Sequence, residues 1–75
     1  MRESVEEYLK AYGRSLREQR LRSKLTQLEV ARSLGISQAI ISHIETGRML
    51  PPIEIEEELF KLYTRRYKNE QTLLL

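Results

Sequence analysis

The stretch TQLEVARSLGISQAIISHIETG, Thr26 to Gly47, constrains the fold of this chain more than any other. It packs two helix starts and two helix stops into a few turns of chain. Thr26 stands three residues before Glu29, the spacing at which a hydroxyl and a carboxylate cap a helix start reciprocally. A helix opens at Gln27 and runs to Leu34, burying Val30, Ala31 and Leu34. Gly35 closes it, because glycine takes the left-handed conformation without a Cβ penalty. Ile36 tucks inward and Ser37 caps a second helix. That helix ends near Glu45 or Thr46, with Gly47 as its stop. Its Ile41 and Ile44 turn to one side. Gln38, Ala39, Ser42 and His43 share the other, since helical neighbours lie three and four residues apart.

Both flanks read as helix too. From Glu3 to Ser23, Val5, Leu9, Tyr12 and Leu16 recur at four, three and four, one helical face. Gly13 interrupts this run at a cost of about 1 kcal/mol relative to Ala. Two forms follow: one helix, straight or kinked at Gly13, or an N-terminal helix over 3–13 followed by another from Arg14. After Gly47, residues 48–52 form a loop. Pro52 suits the first position of a helix over 52–69, where its missing N–H is not needed. Glu54, Glu56, Glu57 and Glu58 then sit at the positive helix start. Leu59, Phe60, Leu62, Tyr63 and Tyr67 form its apolar side, and no segment reads as a strand.

Composition narrows the function. With 75 residues, one small domain over 1–75 is expected, and a domain of that size is marginal by itself. No Cys and a single His exclude a disulfide framework and a zinc site. The polar N-terminus lacks the apolar stretch of a signal peptide, and no run is apolar enough for a membrane span. A reducing, cytoplasmic setting is compatible with this. Net charge is only +2, but residues 14–50 carry +4 while both flanks carry −1. That concentration fits a polyanionic partner, or a solvated basic face.

Two short helices joined by a tight glycine-containing turn are the sequence form of a helix-turn-helix. The run from Gln27 to Gly47 resembles the XRE/Cro family, the lambda-type phage repressors. The likeness rests on Gln27, Ala31 and Gly35 at fours, then Ile36-Ser37, then Ile41-Ser42-His43-Ile44-Glu45-Thr46-Gly47, then the prolines. It covers about Leu16 to Tyr63. The resemblance implies an all-α, compact four- to five-helix bundle of the lambda-repressor type, with its motif core at 26–47. Leu28, Ile40, Thr46 and the glutamates after Pro52 depart from the family pattern. The usual fifth helix is shortened or fused into 52–69.

The resemblance also assigns roles. The helix after Ser37 enters the DNA major groove. Gln38 bonds adenine, Ala39 touches a thymine methyl, and Ser42 and His43 meet base edges or phosphate. Gln27 clamps a phosphate at a helix start. Ser37 is a cap first, with phosphate contact second. Thr46 and Arg48 meet the DNA backbone, and Arg14, Arg17, Arg22 and Lys24 add longer-range attraction. Arg20 and Glu45 pair to brace the recognition helix rather than touch DNA.

The expected partner is double-stranded DNA, bound by a homodimer acting as a transcriptional regulator, with repression the expected role. An antitoxin or restriction-modification controller of the same fold, or a protein-binding module, are the alternatives. No catalytic triad can be assembled around His43, so no enzyme, cofactor or small-molecule ligand is expected. Two apolar surfaces compete for the dimer: Val5, Tyr8, Leu9 and Tyr12, and Phe60, Tyr63, Tyr67 with the terminal leucines. Val5, Leu9 and Tyr12 suit packing within one chain better, and part of the second surface suits dimerisation.

Overall fold

In the computed structural model, residues 2–74 are described, and side chains from 4 to 66. Four helices account for the described chain: α1 (Arg2–Arg22), α2 (Gln27–Leu34), α3 (Gln38–Glu45) and α4 (Ile53–Leu74). The architecture is all-α, with four helices rather than five. α4 is one helix through the region where a fifth was considered, and it is longer than the expected 52–69. Pro52 stands just outside it: its carbonyl accepts the N–H of Glu56 at 2.9 Å, so it is the cap rather than the first helical residue.

The capping box at α2 is complete. Glu29 N–H donates to Thr26 Oγ1 at 3.1 Å, and Thr26 N–H donates to Glu29 Oε1 at 2.9 Å. These bonds hold the exposed Glu29 carboxyl below its usual range. Ser37 differs. It has the extended backbone of a cap, but its hydroxyl makes no capping bond. Its carbonyl instead accepts Ile40 N–H at 3.2 Å.

α1, α2 and α3 end in the same way. In each, an N–H two or three residues past the end reaches back five residues: Leu25 to Arg20 O at 3.2 Å, Ile36 to Ala31 O at 3.0 Å, and Arg48 to His43 O at 2.8 Å. The residue before each donor is left-handed, at φ 59° for Lys24, 70° for Gly35 and 78° for Gly47. This is the Schellman closure, which satisfies carbonyls that a helix end leaves orphaned.

The core is Leu16 of α1, Val30 and Ala31 of α2, Ile41 and Ile44 of α3, and Leu59 and Tyr63 of α4. Tyr12 donates its hydroxyl proton to Glu56, and Arg66 donates to Ser23 O at 3.1 and 3.2 Å. Those contacts pair Tyr12 of α1 with Glu56 of α4, and Ser23, just past α1, with Arg66 of α4, so the two long helices lie side by side in the same direction. The second apolar surface considered for a dimer is divided by this packing. Tyr63 is buried at 4 % exposure while Phe60 is 40 % exposed, and the side chains of Tyr67 and the terminal leucines lie outside the described residues. At the other, Val5 and Tyr8 are exposed while Tyr12 packs against the core.

Candidate nucleic-acid interface

Gly13 explains how α3 is mounted. α1 is continuous through it. A methyl group at Gly13 would stand 2.4 Å from Ile44 O and 2.6 Å from Glu45 O. The C-terminal turn of α3 therefore lies directly on the backbone of α1, and only glycine allows that approach. Gly47 makes the complementary contact: a Cβ there would meet Lys10 Cα and Cγ at 2.8 Å. Spacing alone marks Gly13 only as a costly interruption. A glycine kept at mid-helix despite that cost is the signal that something packs against it.

A buried ion pair fixes the same end of α3. Arg20 Nε and Glu45 Oε2 are 2.7 Å apart, and Arg20 Nη2 donates to Glu45 Oε1 at 3.1 Å. The fork geometry is the strong form of this interaction. Arg20 Nη1 also donates to Leu25 O at 2.8 Å, tying in the turn after α1. Gln27 Nε2 donates to Glu45 Oε1 at 3.0 Å. Gln27 Oε1 in turn accepts Gln38 Nε2 at 3.4 Å. A chain of polar contacts thus runs from the buried pair, through the start of α2, to the first residue of α3. Burial, then the charge of Glu45, pushes the Tyr63 hydroxyl up to about 12.

The residues singled out in the sequence fall in distinct places. Ser37, just before α3, is exposed; Gln38, Ala39 and His43 are exposed and Ser42 is half-buried, on the side of α3 away from Ile41 and Ile44. Gln27 is half-buried, with its carboxamide shared between Glu45 and Gln38. Thr46 and Arg48 are exposed, but the Thr46 hydroxyl donates to Ser42 O at 2.8 Å. The N–H groups of Thr46, Gly47 and Arg48 also donate to α3 carbonyls. In this loop the Arg48 guanidinium is what remains to meet an anion. Leu28 and Ile40 divide: Leu28 is 42 % exposed, whereas Ile40 packs against the core.

Two short helices, held across a glycine turn with one small polar face outward, form a helix-turn-helix. A family model described as a helix-turn-helix domain matches residues 11–65, more than half of the chain. The chain belongs to the helix-turn-helix domain family. Neither a curated protein nor a solved structure matches it. The matched region holds α2, α3, the Arg20–Glu45 pair and Gly13, and leaves the first turns of α1 outside. Among the described residues no helix is long and apolar enough to cross a membrane, and no three metal-ligating side chains group together.

Proposed function

We propose that this helix-turn-helix protein is a sequence-specific, double-stranded DNA-binding transcriptional regulator, working in the cytoplasm without catalytic activity. The observation that carries the reading is the outward face of α3. It is free of large apolar groups, it offers an amide, a hydroxyl and an imidazole, and it is pinned at both ends. Groove readout needs such a face, because base edges are distinguished by donors, acceptors and the thymine methyl.

In this reading Gln38 contacts adenine. Bonding to Gln27 uses one N–H of its amide, and Oε1 with the second N–H is the pair that adenine N6 and N7 require. Ala39 meets a thymine methyl, and Ser42 and His43 meet neighbouring edges or phosphate. Ser37, whose hydroxyl makes no capping bond, and Gln27 with the start of α2 face a phosphate. Arg48 holds the backbone beyond α3. Thr46 does so only as an acceptor or by leaving Ser42.

The regulator is proposed to be a homodimer that represses by occupying a two-fold symmetric site. The outer side of α4 supports a second copy as the partner. Ile53 and Phe60 are exposed there two turns apart, at 70 % and 40 %. Glu54, Glu57 and Glu58 lie in the first two turns of α4, and Lys61 and Arg65 in the two turns that follow. Two antiparallel copies of α4 crossing near Phe60 would therefore set the acidic first turns of one against Lys61 and Arg65 of the other.

Selecting preferred duplexes from a random pool with the purified protein tests the reading. A recovered inverted repeat is the expected result. Failure to enrich any sequence, with no duplex binding at low salt, would overturn it in favour of a protein-binding module.

A further inference from the structure

We infer that the DNA-binding surface does not end with the helix-turn-helix but continues onto α1, where Lys10, Arg14 and Arg17 form a phosphate-binding edge beside the C-terminal end of α3. This rests on the proposed DNA-binding reading and extends it to residues outside the motif.

Geometry carries the inference. Tyr12 marks the side of α1 that faces α4, and Gly13 and Arg20 mark the side that faces α3. At 3.6 residues per turn, the next side in that rotational sense holds Arg17 and Lys10, with Arg14 just beyond. This side of α1 runs past the C-terminal end of α3 and the loop that follows it. The Lys10 stem lies over Gly47, between the exposed Thr46 and Arg48.

Chemistry points the same way. A phosphate at this end of α3 needs donors, and the loop has few to offer. Its three N–H groups and the Thr46 hydroxyl are all directed at α3 carbonyls. Helix C-termini carry negative partial charge, which by itself repels an anion. Positive groups from elsewhere must therefore supply the contact alongside Arg48. Lys10, Arg14 and Arg17 are exposed, and among the described residues none of them enters an ion pair or hydrogen bond. By contrast, Arg20 is held by Glu45, Arg66 by Ser23 O and Lys61 by Glu58. Lys10, Arg14 and Arg17 recur at four and three, a single stripe about 10 Å long.

The test is the salt dependence of duplex binding for the wild type, for Lys10→Gln with Arg17→Gln, and for Arg32→Gln, which removes one exposed charge from α2 as the control. Removing one phosphate contact should flatten the slope of log affinity against log salt by about 0.9. The double variant is expected to be shallower by nearly twice that amount, equally on selected and on random duplexes, with its helical circular dichroism unchanged. Arg32→Gln is expected to keep the wild-type slope. If the double variant keeps the wild-type slope, or if Arg32→Gln flattens it as much per charge, the edge does not exist. Absence of duplex binding by the wild type would instead refute the DNA-binding reading itself. Should the double variant unfold, Arg14→Gln with Arg17→Gln, both at exposed positions, takes its place, with the same flattening expected and an unchanged slope again ruling out the edge.

Discussion

Replacing Gly13 by Ala sets two opposed effects against each other, and the geometry decides the sign. In an ordinary exposed helix, Gly→Ala stabilises by about 1 kcal/mol through helix propensity. Here the added methyl would lie 2.4 Å from Ile44 O and 2.6 Å from Glu45 O. Both are rigid backbone atoms, and real Cβ contacts essentially never fall below 3.0 Å. The last turn of α3 would have to retreat by at least about 0.6 Å. That retreat pulls on the 2.7 Å Arg20–Glu45 contact and on Ile44, which is 2 % exposed. Overpacking of this kind costs about 1–3 kcal/mol or more. Against backbone atoms the upper end of that range applies, and less the propensity gain it leaves a net destabilisation of about 2 kcal/mol, a fall in melting temperature of roughly 8–16 °C for a domain of this size. Thermal and urea unfolding followed by circular dichroism would measure it, with Gly13→Ala compared against Ala11→Gly on the exposed side of α1. A Gly13→Ala variant more stable than wild type would refute the claim that α3 rests on the α1 backbone.

Other consequences follow from the same contacts. Glu45→Ala leaves Arg20 buried without its counter-ion and should cost about 3–5 kcal/mol, enough to unfold much of the population, whereas Arg20→Met with Glu45→Leu should recover much of that stability in urea titrations. Thr26→Ala removes the capping box at α2 and should cost about 1 kcal/mol by the same measurement. Alkaline titration should reveal Tyr63 and Tyr12, both pushed up to about 12 chiefly by burial. A raised pKa means that folding favours the protonated phenol, so stability should hold below about pH 10, the usual tyrosine value, and fall as pH rises toward 12. Tyr12→Phe should shallow that decline; an unchanged profile in a Tyr12→Phe, Tyr63→Phe variant would contradict it. Arg48→Ala should weaken binding to selected and random duplexes alike, and weakening confined to the selected site would show that Arg48 reads bases instead.

Much of this molecule is legible in its sequence because local chemistry sets it. Thr26 with Glu29, Gly35 and Gly47 act through bonds within a few residues, so spacing alone places α2 and the ends of α3. The buried sides of α2 and α3 follow from periodicity for the same reason. What the sequence hides depends on contacts between distant residues. Gly13 reads as a defect until Ile44 and Glu45 are seen against it. Phe60 and Tyr63 share a helical side on paper, yet the position of α1 buries one and exposes the other. The Gln27 carboxamide, given to a phosphate by the resemblance, also bonds Glu45 and Gln38, contacts that spacing does not show. Thr46 shows the same limit: a hydroxyl at a helix end has a nearby carbonyl to satisfy before it can meet DNA.

The central claim is that the outward side of α3 reads base pairs, and Gln38 tests it most directly. Affinities of the wild type and of Gln38→Ala should be measured on the selected duplex and on every single-base-pair variant of it. The account predicts that Gln38→Ala loses about 1–3 kcal/mol of discrimination at one position per half-site and keeps the wild-type preference elsewhere. A Gln38→Ala protein with the same affinity and the same preference at every position would contradict it.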